Sequence, residues 1–194
     1  MSRAQAAASA GKLIVISAPS GSGKTTIARE IIKRNPSLRF SISATTRPKR
    51  PAEIEREDYY FLTKGEFLRR VSAGEFVEWE ELFGNYYGTL KSELDLALRD
   101  GKHILFDVDV KGGLSIQRQY PLTLMIFIRT PDMNVLRERL VRRKTESEEM
   151  LAKRIERVPM ELEKGKQYQH QIVNDDLTKA VNGVQAIVES FLRT

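Results

Sequence analysis

The chain contains no cysteine, which excludes disulfides and thiolate metal sites and fits a reducing, cytoplasmic setting. It has two histidines, His103 and His170. Each flanks an apolar run without ligand-type neighbours at metal spacing, so both read as structural. No apolar run approaches the roughly 18 residues that a membrane helix needs. The start, MSRAQAAASAGK, is small and polar and lacks the apolar stretch of a secretory signal, so residues 1–11 read as a flexible leader. Internal repeats and low-complexity linkers are absent as well.

What is present fits one ordinary domain, or one core carrying smaller insertions: 194 residues, 41% of them hydrophobic. Lysine and arginine number 32 against 26 acidic residues, a formal charge of +6. Such an excess serves either nucleic acid or a site for polyanionic small molecules. Composition does not choose between them, but the placement of the arginines does.

LIVIS (13–17), HILFDVDV (103–110) and LTLMIFIR (122–129) read as buried strands, and HQIVN (170–174) as a fourth. Helical patterns cover 25–34, about 91–100, 132–142, 147–166 and 177–192. Apolar strands alternating with helices predict an α/β fold with a parallel sheet covered on both faces. Residues 40–89 differ, being rich in Thr, Tyr, Phe and charge. DYYFL, EFVEWEEL and NYYGT read there as half-buried strands around a helix at 64–73, a mixed α/β insertion.

Between the first strand and the first helix lies A-P-S-G-S-G-K-T, residues 18–25. This is the phosphate-loop pattern except that Ala18 stands where glycine is usual. The glycines let successive N–H groups turn toward phosphate oxygens, and the following helix adds its positive end. Lys24 supplies a mobile charge and Thr25 a hydroxyl for Mg²⁺. Pro19 biases Ala18 toward extended backbone with negative φ, where a Cβ is tolerated. The loop therefore predicts a nucleoside triphosphate site. Asp107 and Asp109, two apart on the second strand, offer a carboxylate for the magnesium shell, directly or through water.

Arg47 and Arg50 lie in a proline-stiffened run flanked by Ser43 and Tyr59, which suits planar phosphate recognition. In EFVEWEELFGNYYGT, inward Val77 and Trp79 would send Glu78 to the other face. Glu78 and Thr89 could then read a guanine edge, although a plain β-hairpin explains the same residues. Gly84, Gly88 and the pair Tyr86-Tyr87 predict a tight turn beside a flat surface. Residues 134–158 place Arg139 and Arg143 four apart on one helix face. T-x-x-E at 145–148 has the form of a capping box, so one helix ends near Arg143 and a second follows. A charged helical pair with few large apolar residues suits a mobile lid.

SAPSGSGKTT, SISATTRPKRPAE…DYYF, EFVEWEELFGNYYGT, ILFDVDV, RERLVRRKTESEE…KRI and IVNDDL, in this order and at this spacing, resemble guanylate kinases over roughly residues 12–192. The resemblance implies a P-loop nucleoside-monophosphate kinase: a core at 12–39 and 90–194 with a lid at about 139–157, and a GMP-binding insertion at 40–89. It implies transfer of the γ-phosphoryl group of ATP to GMP with Mg²⁺. Ser43, Arg47, Arg50, Tyr59 and Tyr87 match the contacts to the GMP phosphate. Glu78 and Thr89 match the guanine contacts, with Asp107 close to them. On the ATP side stand Ala18, Pro19, Ser20, Gly21, Ser22, Gly23, Lys24 and Thr25, with Arg139, Arg143, Arg154 and Asn174. Lys24, Arg47, Arg143 and Arg154 are the expected catalytic set. Two further departures accompany Ala18. Arg56 stands where the family usually has glycine, and Lys111 where glutamine is common.

Two other classes compete. A guanylate-kinase-like interaction domain is expected to lose loop or lid groups, which this chain keeps. A nucleic-acid-binding ATPase needs a separate basic face, whereas the arginines cluster in segments assigned to nucleotides. The expected partners are therefore ATP and GMP, not nucleic acid or membrane. Monomer and homodimer both stay open.

Overall fold

A computed structural model describes residues 11–142 and 148–194. The chain divides into two units. One is Ser37–Ile104 with the stretch ending at Lys12; the other is Leu13–Pro36 with Leu105–Thr194.

The second unit begins with β1 (Leu13–Ser17), all five residues of which are buried. Helix α1 (Lys24–Arg34) follows the loop and buries Ile27, Ala28 and Ile31. After the first unit come the end of β7 (His103–Asp107), α4 (Val110–Gln119), β8 (Leu124–Arg129), α5 (Met133–Arg142), α6 (Glu148–Gly165), β9 (His170–Val173) and α7 (Leu177–Arg193). With β2 (Leu38–Phe40), the strands form a five-stranded sheet in the order β2-β7-β1-β8-β9. β8 runs parallel to β1 with Ile14 opposite Leu124, and β9 parallel to β8 with Ile126 opposite His170. Burial on both faces explains why these strands are continuous apolar runs rather than alternating ones. α1 and α7 meet through a reciprocal amide pair between Asn35 and Gln185 at 2.9 and 3.1 Å, and through Arg34 donating to Asn182 at 2.9 Å.

The first unit holds β3 (Ser43–Thr45), β4 (Tyr60–Phe61), α2 (Lys64–Ser72), β5 (Phe76–Leu82), β6 (Asn85–Leu90) and α3 (Lys91–Arg99). Its sheet has the order β4-β3-β6-β5, parallel only between β3 and β4. α2 starts where the Thr63 side chain accepts from the Glu66 N–H. It buries Phe67, stacked on Phe76 at 4.4 Å and on Tyr86 at 5.4 Å. Tyr60 donates to the buried Glu93 at 2.6 Å and so ties β4 to α3; burial first, then the Glu93 contact, pushes the phenol up to about 12.

Three expectations change. The run HILFDVDV is not one strand: β7 stops at Asp107 and Val110 already belongs to α4. Asp109 is the N-cap of that helix, accepting from Lys111 and Gly112, so it does not share a strand face with Asp107. Gly112 and Gly113 hide α4 from propensity, because glycine is a poor helix former. The alternation at Val77–Trp79 also fails. A register shift between Phe76 and Glu78 buries both Val77 and Glu78 and leaves Trp79 46% exposed. The tight turn is at Phe83-Gly84, both with positive φ, whereas Gly88 lies inside β6 opposite Trp79.

Candidate active site

In the second unit the phosphate loop leaves β1 at Ala18, which is buried. Among the described residues only Arg56 and Phe83 combine a side chain with positive φ, so Ala18 keeps ordinary backbone and its methyl costs nothing. The curl falls instead on Gly21 and Gly23, at φ 91° and 86°. Gly23 is under a second constraint, since a Cβ there would stand 2.5 Å from Asn174 Nδ2. Gly23 is also the N-cap of α1. It makes no side-chain cap bond, and the first turn has no acidic residue. The positive end of α1 is thus kept for an anion.

Lys24 places Nζ 2.6 Å from Asp107 Oδ1 and donates to the Val108 carbonyl at 2.7 Å. Thr25 Oγ1 donates to Asp107 Oδ2 at 2.7 Å. The hydroxyl of Thr25 and the carboxylate of Asp107 are hard oxygen donors side by side, which fits Mg²⁺. Asp109 is committed elsewhere, to its cap and to Arg157 Nη2 at 2.7 Å.

The arginine helices contribute unequally. Arg154 Nη1 donates to Ser20 Oγ of the loop. Arg139 Nη2 donates to the Asn174 carbonyl at 3.0 Å, and Asn174 Nδ2 donates to the Ser22 carbonyl at 2.8 Å. Asn174 is buried and so buttresses the loop from β9's end. Arg143 and the Thr145 cap lie outside the described residues. Sequence reasoning missed Arg157 and Glu161. Arg157 Nε donates to Glu161 Oε1 at 3.0 Å. Burial pushes the Glu161 carboxyl up, and nearby Asp109 adds to the rise, while Arg157 and Ser20 pull against it. The available signal was their spacing from Arg154, three and then seven residues along one helix.

In the first unit β3 and β6 pair Ser43 with Thr89, and β5 and β6 pair Thr89 with Glu78. Thr89 Oγ1 donates to Glu78 Oε1 at 2.8 Å, with both residues buried. Arg47 forks onto Glu53 at 2.7 and 3.0 Å, beneath Tyr59 and Phe61 at 5.4 and 5.8 Å from the ring centroids. The Arg50 N–H also reaches Glu53, at 2.8 Å, while Arg50 itself is exposed. Burial works against the charge on Arg47, but Glu53 outweighs it and raises the guanidinium. Burial likewise opposes the Glu53 carboxylate, yet the Arg47 and Arg50 bonds hold it below the usual range. Tyr59 and Tyr87 meet edge to face at 6.3 Å. Ser43, Arg47, Arg50, Tyr59, Glu78, Tyr87 and Thr89 thus share one unit, whereas Asp107 belongs to the other and contacts Lys24 and Thr25.

Comparison with known proteins decides the family. The guanylate kinase family model matches residues 10–191. The chain belongs to the guanylate kinase family. It is 44% identical to the guanylate kinase of Symbiobacterium thermophilum over 92% of this chain and 84% of that protein. It is 45% identical to that of Chlorobium luteolum over 95% and 94% of the two chains. The crystal structure of guanylate kinase from Anaplasma phagocytophilum superposes with a TM-score of 0.77 at 30% identity, covering 94% of this chain and 86% of that one. Guanylate kinases are nucleoside-monophosphate kinases, ATP:GMP phosphotransferases.

The departures from the guanylate kinase pattern now have locations. Arg56 holds φ at 65° in a turn where its N–H bonds the Tyr59 carbonyl at 2.9 Å. A side chain in that region costs roughly 1–2 kcal/mol. Arg56→Gly is therefore expected to raise Tm by about 1–2 °C once the added freedom of the unfolded chain is subtracted. A thermal melt checks this, and an unchanged or lower Tm would mean that contacts of Arg56 offset the strain. Lys111 sits in the first turn of α4, where a cation opposes the helix dipole.

Proposed function

We propose that this chain carries its γ-phosphoryl donor, ATP, on the loop 18–25 and its acceptor, GMP, on the sheet that bears Ser43, Glu78 and Thr89. The observation that supports a working kinase over a binding-only domain is the complete phosphate loop: two glycines at positive φ, an uncapped helix end, and Lys24 and Thr25 converging on Asp107.

Two polyanionic nucleotides repel each other, and the moving phosphoryl group spreads charge over its oxygens. Catalysis is then mainly positioning and neutralisation. Lys24 and the α1 amides take the outer phosphates, while Arg139 of α5 and Arg154 of α6 add charge, joined by Arg143. Mg²⁺, held by Thr25 and Asp107, would neutralise part of the triphosphate charge. Arg47 and Arg50 take the acceptor phosphate with Ser43, Tyr59 and Tyr87. That acceptor is already an oxyanion, so no general base is needed. Glu78 accepts from guanine N1–H and the 2-amino group, whereupon the Thr89 hydroxyl turns from Glu78 to O6. A chain without cysteine needs no oxidising compartment, and we place the reaction in the cytoplasm.

Formation of ADP from ATP and Mg²⁺ is measured with GMP, AMP, CMP and UMP in turn. GMP-dependent ADP alone is expected; its absence from folded protein would sink the reading. Glu53 offers a finer test. Glu53→Gln keeps the shape but weakens the grip on Arg47, so the KM for GMP is expected to rise about tenfold with the KM for ATP unmoved. Equal rises for both nucleotides would remove Glu53 from the GMP side.

A further inference from the structure

We infer that Arg157 is a positioning residue for phosphoryl transfer: on the reading that the loop 18–25 carries ATP, it holds Arg154 at that loop across a gap in the hydrogen-bond ladder of helix α6. Pro159 lies inside α6. Proline has no N–H, so the Ile155 carbonyl lacks its helical donor, and the ring crowds that carbonyl. On one side of the gap the helix is fixed, because Gly165 packs so closely on β8 that a Cβ there would stand 2.4 Å from the Phe127 ring. On the other side stands Arg154, whose Nη1 donates to Ser20 Oγ of the loop.

Two sets of contacts span the gap. Leu151, Ile155, Val158 and Leu162 pack with Leu136 and Leu140 of α5. Apolar burial of this kind is non-directional, and by itself it does little to fix how α6 turns about its axis. The second set is directional. Arg157 Nη2 donates to Asp109 Oδ2 at 2.7 Å, and Arg157 Nε donates to Glu161 Oε1 at 3.0 Å. Asp109 is itself fixed at the start of α4, where its Oδ1 accepts the Gly112 N–H at 2.9 Å. Arg157 precedes the proline and Glu161 follows it, so one guanidinium ties both sides of the gap to each other and to α4. The three side chains are mostly buried, with exposures of 15% for Arg157, 14% for Asp109 and 7% for Glu161, and their attraction is stronger there than in water. Arg154 lies three residues from Arg157 on the same helix face, so a turn of one is a turn of the other. Lysine, a compact point charge, lacks the planar fork that serves two carboxylates at once.

The test is a double-mutant cycle on the full chain, with ADP formation from ATP and GMP measured beside thermal melts. Arg157→Lys is expected to lower kcat about tenfold and to move the KM for GMP less than twofold. In an Arg154→Ala background the same substitution is expected to change kcat less than twofold, because the group it positions is gone. Pro159→Ala restores the missing rung, so its combination with Arg157→Lys is expected to return to within about threefold of wild type. Asp109→Asn keeps the helix cap and weakens the pair from its other end. It is expected to repeat the cycle, and it decides the matter if Arg157→Lys does not fold. An equal loss in both backgrounds, no loss in a variant that melts like wild type, or no recovery with Pro159→Ala would each overturn the inference. A wild type that makes no ADP with GMP would sink the proposed function and this role with it, whereas an active wild type with additive effects sinks the role alone.

Discussion

Lys24→Ala is expected to lower kcat by about 10³-fold while the protein stays folded. The magnitude is that of removing one preorganised charge from a phosphoryl-transfer site. The fold should survive because Asp107 keeps the Thr25 hydroxyl at 2.7 Å when its ion pair with Lys24 is lost. The pair is only partly buried, with Lys24 20% exposed, so the stability cost is about 1–2 kcal/mol and Tm falls by a few degrees. Steady-state kinetics beside a thermal melt checks both halves. Near-normal turnover would remove Lys24 from the mechanism. A melted protein would instead make the Lys24–Asp107 pair structural, and Lys24→Met would then be the cleaner variant.

Glu78→Ala should leave phosphoryl transfer possible in principle but remove the choice of base. Adenine has no 2-amino group and presents an acceptor at N1, so it leaves a buried carboxylate unpaired. Sites built on such hydrogen bonds discriminate by about 10⁴-fold. The ratio of kcat/KM for GMP over AMP is expected to fall by at least about 10²-fold in the variant. The fall should come mainly from weakened use of GMP, because the guanine N1–H and 2-amino group lose the buried carboxylate that would accept from them. Glu78→Gln supplies a donor toward adenine N1 and should raise AMP use further. An unchanged preference in either variant would place base recognition elsewhere.

How much of this could be read from residues alone depended on the range of the interactions. β1, β8 and the loop were legible because buried strands are apolar throughout and the loop needs glycine, lysine and threonine next to one another. The α1 boundary was legible for the same local reason. The start of α4 was not, since Val108 and Val110 continue the strand's apolar run and only the Asp109 side chain, bonding forward to Gly112, marks the helix. The register shift that buries Glu78 beside Val77 has no composition of its own. Arg157 and Glu161 look like ordinary charges on a charged helix. Their meaning depends on Asp109, 48 residues away from Arg157. The family resemblance carried the nucleotide assignments, and it flagged Arg56 as a departure without saying that its backbone is left-handed.

The strand order has a consequence for synthesis. The unit of Ser37–Ile104 is nearly contiguous and can close its sheet as soon as it leaves the ribosome. β1 emerges first, yet its partner β8 begins at Leu124, β9 follows at His170, and α1 leans on α7, the last helix of all. The buried strand that ends in the phosphate loop therefore waits, unpaired and apolar, until its sheet neighbour β7 at His103–Asp107 and then β8 have been translated. A nascent chain from which residues up to Ile104 have just emerged should hold a folded Ser37–Ile104 unit and a phosphate loop whose strand still lacks β8.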